Sequence, residues 1–278
     1  MNDAAPEYSI HSDEPLSGFA CWRRGLNLFA RAPVRLLILA ALAQYAALGP
    51  DIAFALAPEA TNGFLSSALI RVAAAVVEAA LYAAVVLQID QIARGGDNPR
   101  QLRWLNASIA LALAGLLYNI AVAIGLILFV LPGLFLSVTL LLFPFPVVLS
   151  GAGPLRALEL SYSWIAGRFW RISGAISVAF MAYSGYVVVT WGPGFVGVDW
   201  PALASLIATA ERGAVSLIEI PAQVKTMVTP GPAAAPLWYF VLNPLLGGIV
   251  MPPVLATLYT IYRRLIPPER PADPPDIR

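Results

Sequence analysis

WLNASIALALAGLLYNIAVAIGLILFVLPGLFLSVTLLLFPFPVVLSGAGPL, residues 104–155, contains no charged side chain. A bilayer core takes about 20 apolar residues per helix, so this stretch is long enough for two crossings and a turn. Pro132-Gly133 sits where the turn is expected, because proline and glycine break an apolar run and let the chain reverse. Working outward, a second charge-free stretch separates Lys225 from Arg263. The whole chain of 278 residues is 59% hydrophobic and 12% charged, with a mean hydropathy of +0.75. Soluble domains are about 25% charged. The sequence therefore specifies an all-α polytopic membrane helix bundle.

Six spans are placed at 33–48, 66–92, 107–130, 134–149, 172–191 and 236–262. The second contains Arg71 and Glu78, and the third and fourth could be read as one, so charge must arbitrate. Basic residues near span ends stay on the cytoplasmic side. With six spans and both termini inside, every basic residue except Arg71, Arg212 and Lys225 falls on that side. Removing the second span, or merging the third and fourth, strands Arg94, Arg100 and Arg103 or Arg156, Arg168 and Arg171 outside. Six spans flanked by polar ends give a membrane domain over 16–266, a polar disordered tail over 1–15 and a proline-rich cytoplasmic tail over 267–278. Within the outer segment 191–235, Leu203, Leu206, Ile207, Ala210, Ala214, Leu217 and Ile218 follow helical spacing, which predicts a helix lying on the outer surface.

Two basic amphipathic segments precede spans one and five. In the first, Phe19, Trp22, Leu26 and Phe29 form a stripe beside Arg23, Arg24, Asn27 and Arg31. In the second, Leu155, Leu158, Tyr162, Ile165 and Phe169 do the same beside Arg156, Glu159, Ser163 and Arg168. Such helices lie in the membrane plane, with apolar side chains toward acyl chains or the bundle and Arg heads among headgroups. A single shift of numbering aligns the two, matching Phe19 to Leu155 and Arg35 to Arg171. Either a unit of in-plane helix plus span was duplicated, or two interfacial helices converged on one pattern.

Segment 131–172 carries a family resemblance through Pro132, Gly133, Gly153, Pro154, Ala157, Leu158, Ser161, Trp164, Gly167, Phe169 and Trp170. It resembles the membrane domain of glycerophosphoryl diester phosphodiesterases and related uncharacterised bacterial inner-membrane proteins, and 259–264 (YTIYRR) is similar to that family's closing segment. The resemblance implies a bacterial cytoplasmic membrane and a membrane domain alone. The family's catalytic barrel is a separate soluble domain using His and carboxylates, and this chain has one histidine, His11, in its tail. Each matched residue also has a structural reading. Pro144 and Pro146 kink span four and free carbonyls that need partners. Gly151, Gly153 and Pro154 end it and start the next helix, and Trp164 and Trp170 anchor at the interface.

Cys21 is the only cysteine, which excludes an internal disulfide and a cysteine-based zinc site. No phosphate-binding loop, nucleophile elbow, zinc-protease or dinucleotide motif is present, so no cofactor or catalytic constellation is implied. The net charge of +1 gives no field for nucleic acid. Ionisable residues inside a membrane are costly and are functional candidates. Glu78 lies in mid-span, with Arg71 two turns earlier on the same face, Asp90 toward the cytoplasmic end, Asn119 in span three and Gln44 in span one. Glu78 is either one side of a polar clamp, with Arg71 or a neighbouring helix, or the core of a transport cavity with Arg71 and Asn119. The expectation is a non-catalytic membrane protein of envelope or lipid organisation, contacting membrane lipid headgroups through Arg23, Arg24, Arg156, Arg168, Trp164 and Trp170. The alternative is a small-molecule or ion transporter with its site at Glu78, which requires a polar cavity reaching that residue. A protein partner or a second copy of the chain is compatible with the sequence, which identifies neither.

Overall fold

The computed structural model of the chain describes residues 17–57, 63–95, 104–196 and 237–266. Both expected tails and the expected outer surface helix lie outside them. Nine α-helices and one 3-10 turn make up the described fold. They are α1 Gly18–Arg31, α2 Pro33–Leu56, α3 Phe64–Ala93, α4 Trp104–Leu128, α5 Val130–Thr139, α6 Pro144–Ser150, α7 Pro154–Ile165, α8 Phe169–Val196 and α9 Leu237–Leu265. No strand occurs among the described residues. Five segments are long and apolar enough to cross a membrane: Pro33–Phe54, Leu65–Ala93, Trp104–Leu128, Val130–Ser150 and Val241–Leu265. The expected fifth span falls on α8, a helix of 28 residues that stands outside this set. The chain is an all-α membrane helix bundle.

Two of the departures from the expected span boundaries have identifiable reasons. The first span is expected to end at Leu48, yet α2 runs on to Leu56 with Pro50 inside it. A proline removes one helical hydrogen bond and bends the helix without stopping it where neighbours hold both sides. Here α3 packs along α2. The reversal expected at Pro132-Gly133 occurs instead at Phe129, an extended residue (φ −159°, ψ 138°) between α4 and α5. Pro132 then lies in the first turn of α5, where its missing N–H is not needed. Gly133 serves the helix–helix contact, since a Cβ on Gly125 would meet the Gly133 Cα at 2.8 Å.

Span four is broken, as its prolines require. α5 stops at Thr139 and α6 starts at Pro144. The freed backbone groups find one partner: Ser161 on α7 donates to the Thr139 carbonyl at 2.8 Å and accepts from the Leu142 N–H at 3.1 Å. A fully buried serine thus replaces the missing helical bonds, which in an apolar surround would each cost several kcal/mol, about 2–7. Gly151 caps α6 at φ 69°, a left-handed conformation that favours glycine, and Pro154 opens α7.

The helices centre on α9, which packs on α1, α2 and α8, while α3 bridges α2 to α4. α1 crosses from α8, where Gly18 backs onto Gly174, to α9, where Gly25 backs onto Thr257. Its buried line is Cys21, Gly25 and Leu28, one position off the apolar stripe read from the sequence. Phe19 and Leu26 of that stripe are exposed, and Trp22 and Phe29 are half-buried against the core. Small residues set this face because helix backbones approach most closely there.

The shift that aligns the two amphipathic segments also aligns their structures. It carries Gly18, the start of α1, onto Pro154, the start of α7, and Pro33, the start of α2, onto Phe169, the start of α8. The buried residues Cys21, Gly25, Leu36, Ala40 and Ala43 map onto Ala157, Ser161, Ile172, Ile176 and Ala179, all buried. The exposed Phe19 maps onto Leu155, at 70% and 71% exposure. Helix starts recur together with part of the buried face, while the buried Leu28 and Ile165 map onto the half-buried Trp164 and Phe29.

Candidate functional site

Four helices leave a polar cavity of about 330 Å³ between them. α2 contributes Gln44, Ala47, Leu48 and Asp51, and α3 contributes Glu78 and Tyr82. α8 contributes Tyr183 and Tyr186, and α9 contributes Asn243 and Met251. The cavity therefore lies between the α2–α3 pair and the α8–α9 pair, whose first members are the two aligned helices.

Its depth follows from the register of α2 against α3. Gln44 bonds Tyr82, Gly49 faces Ala74, and the Phe54 ring lies under Arg71. As one number rises the other falls, so the helices are antiparallel. The Gln44 amide donates to the Tyr82 hydroxyl at 2.7 Å and forms one end of the cavity. Beside that bond α9 presses on α2: a Cβ on Gly247 would meet the Gln44 side chain at 2.8 Å, and one on Gly248 would meet Ala41 at 2.9 Å. Asp51 and Glu78 both stand on the other side of the Gln44–Tyr82 bond. A rise of about 1.5 Å per residue puts them about 10 Å and 6 Å from it.

The hydrogen bonds hold the cavity wall rather than its carboxylates. The Tyr186 hydroxyl donates to Asn243 Oδ1 at 2.7 Å, tying α8 to α9. The Tyr45 hydroxyl reaches the Val241 carbonyl at 3.4 Å. Tyr183 and Tyr186 lie side by side, ring centroids 5.9 Å apart. Among the described residues, neither Glu78 nor Asp51 has a hydrogen-bond or ion-pair partner.

Of the three residues expected to form an intramembrane polar site, only Glu78 lines the cavity. Arg71 is exposed and its guanidinium sits 5.0 Å over the Phe54 ring. Of the alternatives for Glu78, a clamp with Arg71 is not formed. Sharing a helical face did not bring them together, because two turns separate them and Phe54 offers Arg71 a nearer partner. Asn119 is on the exposed surface of α4, away from the cavity. Gln44, Asp51, Tyr82, Tyr183, Tyr186 and Asn243 complete the site. Only Gln44 of these was singled out from sequence, because single polar residues scattered over four helices have no local motif.

Asp90 is a different case. It is 3% exposed, accepts from the Tyr259 hydroxyl at 2.8 Å and pairs with Arg94 at 3.1 Å. This network ties α3 to α9 at the end of the bundle crossed by α1.

The residues expected at lipid headgroups are spread between solvent and core. Arg23 and Arg168 are exposed, and Trp170 is 85% exposed. Arg156 is exposed and paired with Glu159 at 2.8 Å, one turn on. Arg24 is half-buried, and Trp164 packs edge-on against Tyr262, centroids 5.5 Å apart. Among the described residues no group of three or more His, Cys, Asp or Glu side chains could hold a metal ion.

The described residues thus form a bundle of membrane-length helices with a half-open cavity between α2, α3, α8 and α9. No family model, curated protein or solved structure matches the chain.

Proposed function

We propose that the chain is a carrier-type protein of a bacterial cytoplasmic membrane, six spans with both termini cytoplasmic, that binds a small polar solute in the α2–α3–α8–α9 cavity. The observation that carries this is Glu78: a mid-helix carboxylate turned into a cavity and left without a partner. An ionisable group in a membrane helix is retained at a cost of at least about 2.5 kcal/mol, and here no hydrogen bond or ion pair among the described residues offsets it. The position between two similarly built units supports the same reading, since carriers made of internal repeats hold their substrate at the repeat interface. The likeness of segment 131–172 to a phosphodiesterase membrane domain belongs to this proposal as an architecture without a catalytic barrel.

The test uses the single native cysteine. In a Cys21→Ser background, Ala47→Cys places a thiol on the cavity wall and Ile109→Cys places one on the exposed apolar face of α4. In sealed proteoliposomes a membrane-impermeant maleimide labels Ala47→Cys from either side in turn and leaves Ile109→Cys unmodified. Resistance of Ala47→Cys from both sides would refute a water-filled site, and labelling from one side alone would refute a carrier.

A second reading, contact with anionic lipid headgroups, rests on Trp170 and Arg168, both exposed at the start of α8. It predicts a retained lipid in native mass spectrometry that is lost when Arg23, Arg24, Arg156 and Arg168 are neutralised. Unchanged lipid retention would remove it.

A further inference from the structure

We propose that the solute held in this cavity is a small organic cation, an ammonium carrying hydrogens or short alkyl groups; the proposal rests on the reading of the cavity as a solute site. The lining contains two carboxylates, Glu78 and Asp51, and no Lys, Arg or His. The basic residue closest along α3, Arg71, is spent on Phe54. An anion entering here meets like charge. A neutral solute leaves both carboxylates unpaired in a weakly polar surround, which is the costly arrangement. A cation resolves it.

The aromatic walls select the kind of cation. Tyr82, Tyr183 and Tyr186 line the same space, and an ammonium over an aromatic face is attracted by the ring quadrupole, more strongly when desolvated. Two of these rings are held by their hydroxyls, Tyr82 accepting from Gln44 and Tyr186 donating to Asn243. Their faces are therefore fixed before any ligand arrives. A calcium or magnesium ion would instead demand six or more oxygen ligands in a tight shell. The space of about 330 Å³ is far more than an ion needs and sits at the low end of small-molecule pockets, about 300–1,000 Å³. Asp51 and Glu78 stand about one helical turn apart along the axis by their register, so a cation of a few heavy atoms can face both.

The experiment titrates the full-length protein, purified in detergent, at constant ionic strength by calorimetry. The probes are tetramethylammonium chloride, ethylammonium chloride, tert-butanol as a neutral analogue and sodium acetate as an anion. At least one ammonium is expected to bind saturably, with tert-butanol and acetate failing to displace it. Glu78→Gln and Asp51→Asn, each verified as monodisperse, weaken that binding about tenfold or more, and Arg71→Gln leaves it unchanged. Equal affinity for tert-butanol or acetate, lost in Glu78→Gln, overturns the cation and keeps the solute cavity. Ammonium binding unaffected by both Glu78→Gln and Asp51→Asn also overturns the cation site. Binding of no probe overturns both the cation and the cavity's reading as a solute site.

Discussion

One helix, α3, carries two carboxylates in the bundle, the buried Asp90 and the half-buried Glu78, and they are treated oppositely. Asp90 is enclosed and bonded to Tyr259 and Arg94. Glu78, three turns away, faces open space with no partner among the described residues. The end of the bundle crossed by α1 is closely packed, with Tyr259, Phe145 and Leu36 all but inaccessible. The other contains the cavity. A chain able to satisfy one carboxylate completely had the means to satisfy or delete the second. On the proposed reading, Asp90 serves stability and Glu78 serves binding.

Mutations can break or sharpen that contrast. Asp90→Ala leaves the Tyr259 hydroxyl and Arg94 without their acceptor in the packed end. Breaking a buried pair costs about 3–5 kcal/mol. Arg94 is a third exposed and can recover water, so about 2–4 kcal/mol is expected, read as a lower midpoint in a thermal melt of the detergent-solubilised protein. Gly25→Leu should follow, because its side chain would enter the backbone and hydroxyl of Thr257. Overpacking of this kind costs about 1–3 kcal/mol and would separate α1 from α9, measurable as faster proteolysis near the N-terminus. Ser161→Ala strands the Thr139 carbonyl and the Leu142 N–H at the break in span four. It should cost about 1–3 kcal/mol, with Ser161→Thr the informative comparison, since it keeps the hydroxyl.

The cavity end responds weakly in stability and strongly in binding. Tyr186→Phe removes one hydrogen bond to Asn243, worth about 0.5–1.5 kcal/mol. Its melting shift should be the smallest of the destabilising ones, while ammonium affinity falls further than stability does.

The sequence made the spans legible and the site mostly illegible. Charge-free runs and the placement of arginines locate helices because water and lipid impose those patterns along a single segment. Helix starts at Pro33 and Pro154 were readable for the same local reason. The prolines of span four announced a kink, although they did not say that the helix would stop at Thr139 or that Ser161 would bridge the gap. Packing between segments is a different matter. The contact face of α1 follows Gly25 and Cys21 rather than the aromatic stripe, because close approach rewards small residues that hydrophobicity scales overlook. Arg71 and Glu78 share a helical face, yet Phe54 on the neighbouring helix redirected the arginine. Asp51 lies beyond the expected end of the first span at Leu48, in the part of α2 that runs on past Pro50. Asn119 showed the converse: a polar residue in mid-helix that faces outward from the bundle.

The contrast between the two carboxylates meets its most direct test in one melting experiment. Glu78→Gln and Asp90→Asn remove the same charge from the same helix, and both are melted with and without tetramethylammonium chloride at matched ionic strength. Asp90→Asn is expected to melt well below the wild type and still be stabilised by the ammonium salt. Glu78→Gln is expected to melt at or above the wild type and lose the ammonium stabilisation. Equal destabilisation by both substitutions, with ammonium stabilisation intact in Glu78→Gln, would show that Glu78 is a second structural carboxylate and would contradict the account.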